Sequence, residues 1–372
     1  MPRRFGIPPT SARDQVQKVV VRGSTEGNGK PLPHPTGEPP FHATPEDLGI
    51  ADSVPLTFFV LGDSGGVKDP HRQRHVADTM RAQPAPVPHF VYHVGDLVYF
   101  HGDQADYPSQ FYEPYAHLNY PIVGIPGNHD GDNSDDRSVP SLWAWMANLC
   151  ARTPRLPAGA EEYNRDTETQ PNCYWTLRAR AVTIIGCYSN VPSGGVIHRA
   201  QADWLCTELA TAPAGVPLIV ALHHPPYSAD GAHGGSAEMG QVLDTAFESS
   251  GRAPDLVLSG HVHNYQRFTR SLSQASNEVT YVVSGNGGYH NLHKLAPGAA
   301  PGEELRHGVT FEAGDDSHWG YLSLTCDGTA IHADYNSVAK DGTAHMRFDS
   351  FTIGSSGNGR LAQASHGILT TH

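Results

Sequence analysis

From Thr57 onward, short apolar runs recur along the chain. They are Thr57-Phe58-Phe59-Val60-Leu61, Phe90-Val91-Tyr92-His93-Val94, Pro121-Ile122-Val123-Gly124-Ile125, Pro217-Leu218-Ile219-Val220-Ala221 and Asp255-Leu256-Val257-Leu258. Each has the length and β-branched content of a strand buried on both faces. Between the later runs the period lengthens to that of a helix. Ala200 to Leu209 sets Trp204, Leu205 and Leu209 on one face, and Ser236 to Ser250 aligns Met239, Val242, Leu243 and Phe247. Such stripes are core packing. Alternating strand and helix predicts an α/β sheet. Two hairpin-like stretches interrupt it: Tyr174 to Tyr188, and Tyr321 to Tyr335 with its Cys326-Asp327-Gly328 turn. They favour mixed pairing, hence an α/β fold that is α+β-like in its four layers: a mixed β-sandwich flanked by helices. Residues 1–50 are crowded with Pro and Gly, show no apolar period and read as an N-terminal arm. The expected domain spans residues 51–355. The Gly/Ser-rich stretch after Ile353 leads into a flexible tail, residues 356–372. No internal repeat is visible.

Composition narrows the partners. A chain of 372 residues has room for one large domain or two small ones. Its net charge of -13 argues against a general nucleic-acid binder, because backbone phosphates demand basic surface. The 23 His set against 25 Lys plus Arg suit a protein that gathers cations. Five cysteines without CxxC spacing read as reduced thiols, which points to the cytoplasm. No apolar run approaches the ~18 residues of a membrane span, so no membrane partner is expected. The twin Arg near the start has no apolar stretch behind it and is not a recognisable export signal, although a chain trimmed of its signal would look the same. Oligomeric state is not legible.

The chemistry lies where the strands end. Gly62-Asp63-Ser64-Gly65 follows the first run, Gly95-Asp96-Leu97-Val98-Tyr99 the second and Gly127-Asn128-His129-Asp130 the third. His223-His224-Pro225-Pro226-Tyr227 ends the fourth and Gly260-His261-Val262-His263 the fifth. The carboxyl ends of strands in open α/β sheets line the crevice where ligands bind. Oxygen donors with imidazoles suit borderline or hard cations such as Zn, Mn and Fe. There are too many donors for one ion, so a carboxylate such as Asp96 would bridge two.

These blocks (GD-x-G, GD-x-x-Y, GNHD, V-x-x-H and GH-x-H) resemble the calcineurin-like metallophosphoesterases and, within them, the purple acid phosphatases. Gly260-His261-Val262-His263-Asn264-Tyr265-Gln266-Arg267, Ser284-Gly285-Asn286-Gly287-Gly288 and Asp349-Ser350-Phe351 are similar to further features of that family. The resemblance runs roughly from residue 55 to 355. It implies the metallophosphoesterase fold and a metal-dependent hydrolase of phosphate monoesters, attacking a small phosphorylated substrate with a metal-bound hydroxide. It also implies two metal ions. Asp63, Asp96, Tyr99 and His263 would hold one, Fe(III); Asp96, Asn128, His223 and His261 would hold the other, Fe, Zn or Mn. Most of the superfamily carries His two residues after the first Asp. Here that residue is Gly65, and Tyr99 stands three after Asp96, which is what points to the iron-binding branch. His129 would lie beside the phosphate as acid or charge stabiliser, oriented by Asp130, and His233 resembles a second phosphate-contacting histidine.

Other readings stay open at this point. Tyr99 as a packing residue is one. His224, His93, His71 and His75 read as structural or surface histidines, and His290 is a weaker candidate for the pocket wall. Asp130, Asp132, Asp135 and Asp136 read together as a solvated loop. The same fold could serve diesters such as cyclic nucleotides, or a non-catalytic metal-binding scaffold. The intact donor set argues against the scaffold.

Overall fold

Phe58 and Val60 face one way from the first long strand, Phe59 and Leu61 face the other, and all four are fully buried. A strand apolar on both faces must have packed layers on both sides. That is the arrangement found in the computed structural model, which describes residues 32–131, 140–191, 194–272, 278–306 and 308–355. Asp132, Asp135, Asp136, residues 1–31 of the expected arm and the expected tail lie outside the described residues.

In chain order the strands begin with β1 (His42–Ala43), β2 (Leu56–Leu61), β3 (Phe90–His93), β4 (Ile122–Gly124), β5 (Trp175–Arg178), β6 (Thr183–Cys187), β7 (Leu218–Leu222) and β8 (Leu256–Ser259). There follow β9 (Tyr265–Ser271), β10 (Glu278–Ser284), β11 (Glu303–Arg306), β12 (Val309–Asp315), β13 (Trp319–Cys326), β14 (Ala330–Val338) and β15 (Ala344–Gly354). The longer helices are α1 (His71–Ala82), α2 (Trp143–Leu149), α3 (Arg199–Thr211) and α4 (Ala237–Ser250). Six strands form one sheet, in the order β15-β14-β13-β2-β3-β4. Nine form the other, β1-β5-β6-β7-β8-β10-β9-β12-β11. Both are mixed. β2, β3 and β4 run parallel, as do β6, β7 and β8, while β5–β6 and β13–β14 are the antiparallel hairpins expected from the sequence.

The inner faces meet in a core holding Phe58, Val60, Tyr92, Ile125, Trp175 and Leu322. Phe58 stacks on Phe90 at 4.7 Å, and burying either ring contributes about 2–3 kcal/mol. Outside the six-stranded sheet, α1 and α2 supply Val76, Met80 and Trp145; outside the nine-stranded sheet, α3 and α4 supply Leu205, Leu209, Met239 and Val242. The four layers are therefore helix, sheet, sheet, helix. α4 starts where the Ser236 hydroxyl accepts the Met239 N–H at 3.2 Å, and it stops at Gly251 in the left-handed region (φ 68°).

Part of the arm is packed on the body. His42 and Ala43 add a strand beside β5, and the His42 imidazole meets the buried Glu208 carboxylate at 2.8 Å. A polar lock joins the two sheets elsewhere. Arg267 on β9 makes a two-pronged pair with Asp349 on β15 at 2.7 and 3.0 Å, and the Tyr265 hydroxyl donates to the same carboxylate at 2.7 Å. Beside it Tyr265 stacks on Tyr335 at 3.9 Å.

Candidate metal centre

Parallel neighbours end on the same edge, so β2, β3 and β4 deliver Asp63, Asp96 with Tyr99, and Asn128 to one rim. β7 and β8 deliver His223, His261 and His263 from the other sheet. The chain turns sharply as it leaves these strands. Asp63 (φ 56°), Asp96 (φ 58°) and His261 (φ 67°) occupy the left-handed region, which costs a side-chain-bearing residue about 1–2 kcal/mol. Strain shared by three polar strand-end residues marks a site held by its surroundings. Those surroundings include the Asp63 N–H to Gly95 carbonyl bond (2.9 Å), and the His261 N–H to Asp63 Oδ2 bond (2.8 Å) that ties the two sheets.

The donor atoms form two groups. Around the Tyr99 hydroxyl lie Asp63 Oδ1 at 3.3 Å, Asp96 Oδ2 at 3.2 Å and His263 Nε2 at 3.3 Å, and Asp63 Oδ1 is 3.4 Å from His263 Nε2. These separations exceed the usual 2.7–2.8 Å or so of an O–H···O bond. They match the spacing of roughly 3.3 Å between donors that surround one ion tetrahedrally at ~2.0–2.1 Å. Around Asn128 Oδ1 lie His223 Nε2 at 3.1 Å and His261 Nδ1 at 2.9 Å, with His223 Nε2 3.3 Å from Asp96 Oδ2. Asp96 Oδ2 thus faces both groups, while its other oxygen accepts the His129 N–H at 2.8 Å. The residues fit a pair of cations that share Asp96.

Electrostatics agree. Burial pushes the Asp63 carboxyl up. Burial pushes on Asp96 too, but the His223 imidazole outweighs it and holds that carboxyl below the usual carboxylate range. Burial alone would lower His223; Asp96 and Asp63 instead carry it up to about 9. Burial first, then Asp96 and Asp63, push the Tyr99 phenol well above its ordinary value. Ionising that phenol therefore requires a strongly polarising cation in contact with it. Gly65 makes room for the ring: a Cβ there would stand 2.7 Å from Tyr99 Cδ2 and 2.5 Å from Gln110 Oε1. Gly127 is equally constrained, since its Cβ would lie 2.1 Å from Asp96 Oδ1.

All seven residues expected to hold metal come together. His129 borders them, half-buried, with its ring 4.5 Å from that of Tyr99. Asp130 departs from expectation. Its carboxylate does not back the His129 imidazole but accepts the N–H groups of Asp96 (2.7 Å), Leu97 (2.9 Å), Val98 (3.1 Å) and Gly127 (2.8 Å). It is a buried clamp on two loops, not part of a solvated one, and His129 Nδ1 is held by the Phe100 carbonyl at 2.9 Å. Burial and the nearby Asp96 carboxylate push Asp130 up to about 7, against the pull of those N–H groups. His233 stands exposed on the rim, its ring 5.6 Å from that of His261. His224 bonds to Ser189 Oγ at 2.8 Å and His93 to Ser64 Oγ at 2.9 Å, both buried. His290 packs half-buried against Tyr289.

Sequence reasoning missed two supports of Tyr99. Gln110 accepts the Tyr99 N–H at 2.9 Å and donates to its carbonyl at 2.8 Å, and Tyr289 stacks on its ring at 4.1 Å. Tyr289 follows the glycine-rich turn already noted, which was the available signal; Gln110 had none.

Comparison with known proteins places the chain in a family. The family model described as calcineurin-like phosphoesterase matches residues 56–265. Tartrate-resistant acid phosphatase type 5 of Oryctolagus cuniculus is 27% identical over 293 residues, which cover 73% of this chain and 84% of that protein. Phosphoenolpyruvate phosphatase of Allium cepa is 28% identical, over 66% of this chain and 47% of that one. Among solved structures, the purple acid phosphatase PPD1 from yellow lupin (Lupinus luteus) seeds superposes with a TM-score of 0.56 at 18% identity, over 81% of this chain and 54% of the lupin one. No described helix is long and apolar enough to cross a membrane. Sheets, strand-end donors and sequence converge on one assignment: the chain belongs to the calcineurin-like phosphoesterase family.

Proposed function

We propose that this protein hydrolyses phosphate monoesters at a binuclear metal centre, with ferric iron in the Asp63/Asp96/Tyr99/His263 group and Fe, Zn or Mn in the Asp96/Asn128/His223/His261 group. The observation that carries the reading is the Tyr99 hydroxyl, set within 3.2–3.3 Å of two carboxylates and one imidazole at a strand end. Four such donors suit a trivalent ion that stabilises phenolate, and the relatives named as acid phosphatases support the monoester preference. When bound, the ions polarise water near neutral pH and neutralise charge on phosphoryl oxygens.

The remaining groups bind and steer. The Phe100 carbonyl can only accept, so His129 Nδ1 carries its proton and Nε2 is left for the substrate. A protonated His129 donates from Nε2 to a phosphoryl or leaving-group oxygen. His233, exposed beside His261, supplies a second donor. Asp130, with its N–H partners, keeps the loops carrying Asp96 and Asn128 in register. The test is the specificity constant of metal-loaded enzyme for p-nitrophenyl phosphate against bis(p-nitrophenyl) phosphate. We expect the monoester to be favoured; a diester preference of about tenfold or more overturns the monoester reading.

A further inference from the structure

A second cluster of donors lies one ring away from the first. Asp230, His233 and His293 each offer a ligand atom, all within 4.8 Å of one another. We propose that these three residues form a third cation site, flanking the binuclear pair and suited to a borderline dication such as zinc.

The buried carboxylate is the starting point. Asp230 is 2% exposed, and its hydrogen-bond partners there are all donors: the Ala232 and His233 N–H groups at Oδ1 and the Asn264 amide at Oδ2, 3.3 Å away. That is the environment of an ionised carboxylate. Yet among the described residues no Lys or Arg pairs with it, and the adjacent Lys294 amine goes to Asp316 instead. A buried anion without a cation is costly. The imidazole facing it does not resolve this. His293 Nδ1 is buried without a hydrogen-bond partner and stands 3.7 Å from Asp230 Oδ2. That is too long for a hydrogen bond and a few tenths of an ångström beyond the roughly 3.3–3.5 Å between two donors on one tetrahedral ion.

His233 supplies the third donor. Its ring lies face to face on His293, 4.5 Å between centroids and 13° from parallel. Binding an ion requires His233 to swing about its Cα–Cβ bond, and its exposure leaves room to do so. Two imidazoles, one carboxylate and an open fourth position form a donor set typical of zinc. The other face of His293 packs on His263 at 4.3 Å, so the site shares a wall with the Tyr99 group.

His233 cannot serve substrate and this ion together. Occupancy therefore inhibits hydrolysis, a consequence that rests on the role proposed above for His233; the stoichiometry does not depend on it. The experiment starts from holoenzyme with its binuclear centre filled. Zinc is titrated in by equilibrium dialysis, and bound metal is counted for wild type, Asp230→Asn and His293→Gln. We expect wild type to take up one more zinc per chain than either variant. Excess zinc should slow wild-type hydrolysis by about tenfold or more, within the reach of one lost donor to phosphate, and His293→Gln by much less. If Asp230→Asn does not fold, His293→Gln carries the comparison, with anomalous scattering at the zinc edge as a direct readout between Asp230 Oδ2 and His293 Nδ1. Equal zinc uptake by wild type and His293→Gln, or no anomalous peak at saturating zinc, overturns the proposal. Undiminished hydrolysis with uptake intact would count against His233 as a phosphate contact and leave the third site standing.

Discussion

Cutting Asp349 back to alanine should destabilise the protein more than cutting Arg267, although the two form one ion pair. The Arg267 side chain is 9% exposed and that of Asp349 13%, so neither charge is hydrated once its partner is gone. In Asp349→Ala the guanidinium loses both prongs of its pair and the Tyr265 hydroxyl loses its acceptor. Removing one partner of a buried pair costs about 3–5 kcal/mol. In Arg267→Ala the carboxylate keeps the Tyr265 hydroxyl, so we expect about 2–3 kcal/mol. Replacing both by leucine removes the desolvated charges together, and the double variant should recover at least half of the Asp349→Ala loss. Thermal unfolding of metal-loaded protein at fixed pH should show a drop of roughly 5–10 °C for Asp349→Ala, less for Arg267→Ala and least for the double variant. An Arg267→Ala loss larger than that of Asp349→Ala, or losses that simply add in the double variant, would show that the lock does not act as a coupled buried pair.

Three predictions address the centre itself. Asp96→Ala should abolish aryl phosphate hydrolysis and lower bound metal at both positions, because Asp96 Oδ2 faces both donor groups; two retained metals with more than about a tenth of wild-type turnover would remove its bridging role. His129→Ala should keep its metals and lose about 10² in turnover, the range for one acid or charge stabiliser, and a drop in metal stoichiometry would contradict this. Iron-replete protein should be pink to purple, and Tyr99→Phe should lose the colour while keeping its circular dichroism spectrum. A colourless, iron-free wild type fully active with two Zn or two Mn would return Tyr99 to neutral ligand or packing residue.

The strand-end donors were legible because each follows directly on an apolar run, so the element that positions the residue also marks it. Leu56–Leu61 and Leu218–Leu222 stand out as buried on both faces, and the polar group after each is read with the strand. Strands β9, β12 and β15 did not stand out. Tyr265–Ser271 carries Arg267 and Arg270, and Ala344–Gly354 is largely exposed, so neither has the apolar run of a buried strand. Sheet order was also hidden. β2 lies between β3 and β13, and nothing local to Leu56–Leu61 says that its antiparallel neighbour is Trp319–Cys326. The misplaced role of Asp130 has a similar cause: its four partners are backbone N–H groups, which every residue offers and no side-chain pattern reveals. The Asp230–His293 pair joins residues 63 positions apart that meet only after both sheets have formed.

The long separation between β2 and its partner β13 also sets an order of events. Asp63, Asp96 and Asn128 leave the ribosome early on strands that pair with one another, but β2 gains its second neighbour only when residues 319–326 arrive. The histidines of the second sheet arrive between those times, at positions 223, 261 and 263. Pairing that depends on such distant segments is slow and comes late. Until the later histidines emerge a nascent chain carries only part of the donor set, so an ion it meets during synthesis is expected to be held weakly and to exchange freely. Selection of the resident ions is postponed until the body is nearly complete, and the ions available when the chain is released matter more than those present while it is being made.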